Sequence, residues 1–356
     1  MLEKLLKERN IPQIKSREEM LDILLREEYG YIPEKPSAIS FDETDNYIPH
    51  FCAGKAISRK VEVKTKILDK EFTFPIYVSI PNSDGRHPFF ICINFRDCVP
   101  DRYVPTEEII DNGFAVISFC YEDVTKDNDD FTDGLAGVLY KDGKREKNEA
   151  GKISMWAWAA QRAMDYAQTL DNLDLNNSIV CGHSRLGKTA LLAAATDKRF
   201  KFAFSNNSGC CGAAITRGKD GEKIEDICSA FPYWFCEEFL KYVNNEESMP
   251  FDQHYLAASI APGYVYISSA KEDIWADPVS EMLTCVAISE AYEKYGENGF
   301  VCPDRLPEVG DVFHEGCVGY HLRDGLHYFS REDWNKAMMF VKKHMDSVAV
   351  KMSGRF

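Results

Sequence analysis

The spacing of apolar residues along the chain predicts an alternation of strands and helices. Short apolar runs of strand length occur at residues 89–95, 114–119, 178–181, 202–205 and 264–269. Longer stretches with helical spacing lie between or after them, at residues 153–170, 232–242, 279–295 and 331–345. Repeated strand–helix units predict the α/β class, with a mostly parallel central sheet and helices on both of its faces.

The chain before these units carries two other patterns. Residues 1–36 repeat leucine and charge at helical spacing and end in a segment rich in glycine and proline, which predicts a short N-terminal helical extension packed on the main body. Residues 61–67 and 72–81 alternate apolar and polar positions around a short turn, as in an antiparallel hairpin. Since no repeat, low-complexity tract or long linker interrupts the sequence, we interpret residues 1–356 as a single domain.

Composition limits the classes of partner. The 42 Lys and Arg against 57 Asp and Glu give a formal net charge of −15, which disfavours nucleic acid and anionic membranes. No run approaches the ~18 apolar residues of a membrane-spanning helix, and the first residues lack the apolar core of a secretory signal. The twelve cysteines include no C-x-x-C pair, so a zinc site has no support and reduced thiols are expected. We therefore expect a cytoplasmic protein acting on a small molecule or an oligosaccharide, unless a secretory signal is missing from this sequence.

The most informative segment lies between the strand at 178–181 and the apolar stretch at 190–195, where residues 181–189 are Cys-Gly-His-Ser-Arg-Leu-Gly-Lys-Thr. A glycine-flanked serine between a strand and a helix is typical of the nucleophile elbow of α/β-hydrolases. The second glycine, however, stands three residues after Ser184 instead of two. The same letters fit a phosphate loop, because four residues separate Gly182 from a Gly-Lys-Thr triplet.

Residues further along the chain separate these alternatives. At least five predicted strands precede the turn, whereas a phosphate loop normally follows the first strand of its domain. An α/β-hydrolase needs an acid and then a histidine after its serine. Asp273 follows the strand at 264–269, with Asp277 as a second candidate, and His327 lies in the predicted loop of residues 321–327 before the last helix. The order favours a serine hydrolase over a nucleotide-binding protein.

Residues 182–191, Gly-His-Ser-Arg-Leu-Gly-Lys-Thr-Ala-Leu, resemble the serine motif of the glucuronoyl esterases, carbohydrate esterase family 15, particularly its bacterial members. The resemblance covers about residues 150–340 and continues in order through residues 205–209, 231–235, 252–254, 269–278 and 319–327. It implies an α/β-hydrolase fold and a serine esterase that needs no cofactor or metal. The implied reaction is hydrolysis of a glucuronoyl ester, such as 4-O-methyl-glucuronate attached to an alcohol, through an acyl-enzyme.

The resemblance also implies roles for individual residues. Ser184 would be the nucleophile, and His327 would take its proton and later deliver it to the leaving alcohol. In many family members a glutamate stands where this chain has Asn207. Because asparagine cannot supply the charge, we assign the acid to Asp273 and keep Asp277, whose other expected role is to cap the following helix, as the alternative.

Further residues are expected to bind the substrate or the transition state. The backbone N–H of Arg185 belongs to the expected oxyanion hole, and the resemblance implies that its guanidinium also faces the oxyanion. A cation at a helix N-terminus is unfavourable because it opposes the helix dipole, which suggests that Arg185 has a functional role there. Lys188, one helical turn after Ser184, is expected to reach the hydroxyls or carboxylate region of a uronate. Glu222 would accept hydrogen bonds from hydroxyls, and Trp275 would offer its face to a sugar ring.

Three alternatives to a glucuronoyl esterase stay open on the sequence. A carbohydrate acetylesterase would use the same triad, with Lys188 and Glu222 contacting the alcohol portion. A phosphate-loop protein would show magnesium-dependent nucleotide affinity. A catalytically silent carbohydrate-binding homologue would bind without turnover, and Asn207 at the family's acid position keeps this alternative open.

Overall fold

The computed structural model describes the backbone of residues 1–353 and the side chains of residues 1–345. Over these residues the strands are β1 (Ala38–Asp45), β2 (Ala56–Ile67), β3 (Lys70–Pro81), β4 (His87–Asn94), β5 (Ala115–Cys120), β6 (Leu173–His183), β7 (Phe202–Asn206), β8 (Tyr264–Ala270), β9 (Val312–Phe313) and β10 (Val318–Arg323). The α-helices are α1 (Leu2–Arg9), α2 (Arg17–Leu24), α3 (Thr106–Asp111), α4 (Gly134–Leu139), α5 (Lys152–Ala167), α6 (Arg185–Thr196), α7 (Ile224–Ala230), α8 (His254–Ala258), α9 (Pro278–Ala287), α10 (Ser289–Glu293) and α11 (Arg331–Ser353).

These strands form one sheet in the order β1-β2-β3-β5-β4-β6-β7-β8-β10-β9. The first three are antiparallel, including the hairpin expected between β2 and β3. The strands β5, β4, β6, β7, β8 and β10 are parallel. Strands β4 and β5 are buried along their whole length, as expected for parallel strands covered on both faces. The predicted α/β-hydrolase arrangement is therefore confirmed.

The long helix α5 is almost completely enclosed by the rest of the protein. It packs against α6 and β4, and of its sixteen residues Asp165 alone is not buried. Trp156 and Trp158 are fully buried within it. No helix within the described residues combines the length and the apolar character needed to cross a membrane.

The carboxyl ends of the parallel strands meet at one edge of the sheet, and the candidate residues follow them. Ser184 comes directly after β6 and Asn207 directly after β7, while Asp273 lies three residues beyond β8 and His327 four residues beyond β10. Because loops after parallel strands converge at this edge, ligands bind there in open α/β sheets. The topology thus brings together residues that are up to 143 positions apart in the sequence.

Three predicted elements differ from the structure. Residues 232–242 are not one helix but two 3₁₀ turns, Pro232–Trp234 and Glu237–Tyr242, because the two residues between them adopt extended backbone angles. The helix expected at 279–295 is divided into α9 and α10 at Ile288. The loop expected at 321–327 begins later, since its first three residues complete β10 by pairing with β8.

The N-terminal extension is helical, as its leucine pattern predicts, and contains the two short helices α1 and α2. Ser16 caps α2 in a reciprocal capping box with Glu19. Beyond α2 the chain makes a π-helical turn at Leu25–Tyr29, and the fully buried Tyr29 hydroxyl donates a 2.9 Å hydrogen bond to the carbonyl oxygen of Cys211. The extension is thereby attached to the loop that follows β7.

Candidate active site

Ser184 occupies a strained turn between β6 and α6, with φ of 58° and ψ of −127°. Such angles are costly for a residue with a Cβ and are typical of functional positions. The turn depends on close approach at both neighbouring glycines. A Cβ on Gly182 would lie 2.2 Å from the Leu186 carbonyl oxygen, and one on Gly187 would lie 2.9 Å from Ser205 Oγ. The displaced second glycine therefore lets α6 pack against β7 while the serine keeps the geometry of a nucleophile elbow.

His327 reaches this turn from the loop after β10. Its ring centroid lies 4.4 Å from that of His183, the residue before Ser184. His183 is fixed by a 2.6 Å contact between its Nδ1 and Asn206 Oδ1, and burial, together with the nearby His327, lowers the pKa of His183 to about 3. His183 is thus neutral at physiological pH. His327, with 44% of its side chain exposed, is the imidazole that a substrate can approach.

Asp273 presents a buried carboxylate to His327. Its Oδ2 lies 2.7 Å from His327 Nδ1, and the same oxygen accepts a 2.7 Å hydrogen bond from Asn207 Nδ2. Burial by itself would raise the pKa of Asp273, but the hydrogen bond and charge of His327 and the amide of Asn207 hold it below its usual value. Because an ionised carboxylate can only accept, His327 donates from Nδ1, which leaves Nε2 as the acceptor of a neutral imidazole.

Asp277, the alternative acid, has different partners. Its side chain caps α9 by accepting hydrogen bonds from the Ser280 N–H at 3.1 Å and the Ser280 hydroxyl at 2.5 Å. Asp277 Oδ2 also accepts a 3.0 Å hydrogen bond from the Asp220 N–H. The carboxylate that the structure brings to His327 is therefore that of Asp273, whereas Asp277 caps the N-terminus of α9.

Arg185, at the first position of α6, has its guanidinium surrounded by an acid and three aromatic rings, of which that of Phe95 is the most distant. It pairs with the carboxylate of Asp127, and its Cζ lies 4.6 Å from the ring centroid of Trp234 and 5.1 Å from that of Phe231. The side chain is 24% exposed. A cation that would be unfavourable at a helix N-terminus is thus stabilised by an ion pair and by cation–π contacts.

Asp127 is the residue of this region that sequence reasoning missed. Besides Arg185, its carboxylate accepts hydrogen bonds from Trp234 Nε1 at 2.7 Å and from the Tyr121 hydroxyl at 2.9 Å. The Tyr233 hydroxyl donates to its backbone carbonyl at 3.0 Å. In the sequence it begins an acidic segment that resembles a solvated loop. The available clue was Arg185 itself, because a cation at a helix start needs an opposing charge.

Lys188 differs from its expected role. Its side chain is buried, and its Nζ donates to the carbonyl oxygens of Ser208 and, at 2.6 Å, Cys210. One helical turn after Ser184, this side of α6 faces the segment that follows β7 instead of an open cleft. Lys188 therefore fixes the chain directly beyond Asn207. These two hydrogen bonds use two of the three ammonium N–H groups, which leaves one N–H group that could contact a substrate.

Trp275 and Glu222, the other expected substrate contacts, lie next to each other on two loops. The Glu222 N–H donates a 3.0 Å hydrogen bond to the Trp275 carbonyl oxygen. Trp275 is 54% exposed, which excludes a role in the core, and Glu222 is half-buried. Because Trp275 stands two residues after Asp273, this pair lies beside the carboxylate that contacts His327.

The contacts of Lys188 and Thr189 do not support the phosphate-loop alternative. A phosphate loop needs its lysine on the phosphates and its threonine hydroxyl on Mg²⁺. Here Lys188 binds backbone carbonyls, and the buried Thr189 hydroxyl donates to the Arg185 carbonyl oxygen at 2.9 Å. Within the described part of the chain, no group of three or more His, Cys, Asp or Glu side chains is arranged to hold a metal ion.

Comparison with known proteins identifies relatives of this arrangement. A sequence model of the family described as glucuronyl esterase, fungi, matches residues 61–296. Carbohydrate esterase MZ0003, from an unknown prokaryotic organism, is 31% identical over 369 aligned positions, which cover 93% of this chain and 84% of the relative. A 4-O-methyl-glucuronoyl methylesterase of Podospora anserina is 29% identical, covering 74% of this chain and 52% of the relative. The chain thus spans about half the length of this fungal protein.

Solved structures agree with these sequence matches. A glucuronoyl esterase from Solibacter usitatus has a TM-score of 0.84 and 29% identity, covering 92% of each chain. A promiscuous CE15 esterase from a marine bacterial metagenome has a TM-score of 0.82 and 30% identity, covering 93% of this chain and 91% of that one. Since these alignments cover 92–93% of this chain, the similarity extends beyond residues 150–340 and into the N-terminal part, where the sequence motifs gave little support.

Proposed function

Because this chain belongs to the glucuronoyl esterase family of carboxylic ester hydrolases, we propose that it hydrolyses esters of a glucuronoyl carboxylate with Ser184, His327 and Asp273 as its triad. The observation that carries the proposal is the hydrogen bond from His327 Nδ1 to a buried, ionised Asp273 beside a serine in an elbow. Relatives named 4-O-methyl-glucuronoyl methylesterase support 4-O-methyl-glucuronate as the acyl group.

The reaction proceeds in two steps through an acyl-enzyme. His327 Nε2 takes the proton of the Ser184 hydroxyl as Oγ attacks the ester carbonyl carbon, and the tetrahedral intermediate then expels the alcohol, which receives that proton. In the second step a water molecule gives its proton to His327 and attacks the acyl-enzyme, which releases the glucuronate and restores Ser184. Asp273 stabilises the imidazolium in both steps without taking the proton itself.

Arg185 is the proposed source of oxyanion stabilisation. Its N–H stands at the first position of α6, where helix geometry provides no intrahelical acceptor, so it is directed at the space in front of Ser184. The guanidinium adds a positive charge whose place is set by Asp127 and Trp234. Donors held in place before the reaction stabilise developing charge without reorganisation.

The substrate side of the site is proposed to include Trp275, Glu222 and Lys188. The exposed Trp275 ring offers an apolar face to the uronate ring, and the Glu222 carboxylate accepts hydrogen bonds from its hydroxyls. Lys188 contributes through its remaining N–H and, more strongly, by holding the segment at Ser208 and Cys210. The cytoplasmic location stays a prediction, and there the substrate would be an imported oligosaccharide or a small ester rather than a polymer.

The substrate class is tested by measuring kcat/KM for benzyl glucuronate beside an acetylated xylo-oligosaccharide. We expect a preference of at least about 100-fold for the glucuronate, because polar groups that pair with a uronate are left unpaired by a substrate lacking it. The opposite preference would assign the same triad to deacetylation. Binding of oligosaccharide without turnover of either ester would identify a catalytically silent homologue.

Replacement of Asp127 by asparagine is expected to lower kcat about 10- to 100-fold, because the Arg185 guanidinium loses its opposing charge and its fixed position. KM should change less, since Asp127 contacts Arg185 and not the sugar-binding loops. The matched control is Asp129→Asn, the same change at an exposed residue two positions later. Equal kcat values for the two variants would contradict the role assigned to Asp127.

A further inference from the structure

The loop that carries His327, residues 324–330, is held by the guanidinium of one buried arginine. Arg323, the last residue of β10, is 5% exposed. Its Nη1 donates to the Asp324 carbonyl oxygen at 2.8 Å, and its Nη2 donates to the carbonyl oxygens of Leu326, at 3.2 Å, and Tyr328. Since Leu326 and Tyr328 flank His327, one planar group fixes the backbone on both sides of the imidazole.

The charge of Arg323 is balanced by Asp333, a fully buried residue in the first turn of α11. Arg323 Nε lies 3.0 Å from each carboxylate oxygen of Asp333. Asp333 also accepts hydrogen bonds of 2.7 Å from the N–H and from the hydroxyl of Ser330, where the loop ends, and its Oδ1 lies 2.9 Å from His321 Nε2. The pair Arg323–Asp333 therefore fixes the beginning, the middle and the end of the loop.

The same loop is connected to the segment that carries Asp273. The Lys271 N–H donates to the Arg323 carbonyl oxygen at 2.9 Å, and the Glu272 N–H donates to the Gly325 carbonyl oxygen at 3.1 Å. The donors of these two hydrogen bonds are the two residues directly before Asp273. A shift of the loop around Gly325 would therefore change the distance between His327 and its carboxylate as well as the direction of the imidazole.

We propose that Arg323, together with Asp333, is a positioning residue that orients His327 toward Ser184 and Asp273. The proposal rests on the proposed function in one respect, namely that His327 is the base of the reaction. Within the described residues, the three carbonyl oxygens that Arg323 binds all belong to residues 324–328, so its fork of donors acts on this loop. A lysine would keep the charge beside Asp333 but would lack the planar fork that binds several carbonyls at once.

The test compares Arg323→Lys with the wild type in two measurements that need no sugar substrate. A fluorophosphonate probe forms a covalent bond to Ser184 with loss of fluoride, and its rate depends on removal of the hydroxyl proton by His327. We expect labelling to become about 10- to 100-fold slower. In the ¹H NMR spectrum, the low-field resonance of the proton between His327 and Asp273 should broaden or shift.

Arg305→Lys is the matched control, because Arg305 forms a two-pronged pair with Asp311, at 2.7 and 2.8 Å, on the surface. It should keep the wild-type labelling rate and resonance. If Arg323→Lys is unfolded by circular dichroism, Arg323→Gln replaces it with the same expectations. Wild-type labelling and an unchanged resonance in the folded Arg323 variant would overturn the proposal. A wild-type enzyme that is labelled but does not hydrolyse benzyl glucuronate would count against the substrate class alone.

Discussion

Replacement of Ser184 by alanine is expected to lower kcat on benzyl glucuronate about 10⁴- to 10⁶-fold, because residues of a nucleophile–base unit fail together when one is removed. We expect the variant to fold as the wild type does and to lose only its catalytic activity. Alanine keeps the Cβ, so the strain at φ of 58° is unchanged, and the backbone hydrogen bond from the N–H of residue 184 to the Asn206 carbonyl oxygen remains. Initial rates and thermal unfolding, measured on the same sample, separate the two effects.

The control for this prediction is Ser83→Ala, the same change at an exposed serine in the turn before β4. It should match the wild type in rate and in fluorophosphonate labelling, whereas Ser184→Ala should lose the label entirely. Substantial turnover by Ser184→Ala would mean that another group attacks the ester, and the elbow would then have no role as nucleophile.

The parallel part of the sheet could be predicted because burial on both faces leaves a direct trace in the sequence. Strands β4 and β5 are mostly apolar, and every residue in them is buried. Strand β1, in contrast, is mostly exposed and contains Asp42, Glu43 and Asp45. It forms through backbone pairing with β2 along eight register positions, and this pairing requires no apolar pattern at a sheet edge. Edge strands of this kind cannot be found from hydrophobicity alone.

Residues of the site whose place follows from their order along the chain could be predicted from the sequence. Residues whose place depends on packing could not. Ser184, Asp273 and His327 follow three parallel strands, β6, β8 and β10, so their order along the chain already indicates that they meet at one edge. The roles proposed for Asp127 and Arg323 depend on contacts that no local pattern contains, since Asp127, for example, lies 58 residues before its partner Arg185.

Lys188 shows the limit of helical spacing as a guide to function. Its position one turn after Ser184 places both residues on one side of α6, but spacing does not indicate what covers that side. In the folded chain Lys188 Nζ donates to the carbonyl oxygens of Ser208 and Cys210, which are contacts that helical spacing could not reveal.

Asp273→Asn is expected to lower kcat about 10³- to 10⁴-fold, since the imidazolium of His327 loses the carboxylate that stabilises it and fixes its tautomer. The neighbouring Asn207 makes this loss harder to compensate. If the new amide oxygen accepts from Asn207 Nδ2, as Asp273 Oδ2 does now at 2.7 Å, the site keeps its shape but has no charge. If the amide is rotated, its N–H₂ group faces His327 Nδ1 and favours the wrong tautomer.

Asp277→Asn is the matched control for Asp273→Asn, because it removes the same charge four residues later from a carboxylate that caps α9. Asparagine is itself a good N-cap, so stability should fall by less than about 1 kcal/mol and kcat should stay within a few-fold of the wild type. Equal losses in the two variants would contradict the assignment of the acid to Asp273, and a larger loss at Asp277 would transfer it there. A loss confined to Asp273→Asn would mean that the loop after β8 supplies the charge, while Asn207, after β7, supplies a hydrogen-bond donor that holds this charge toward His327.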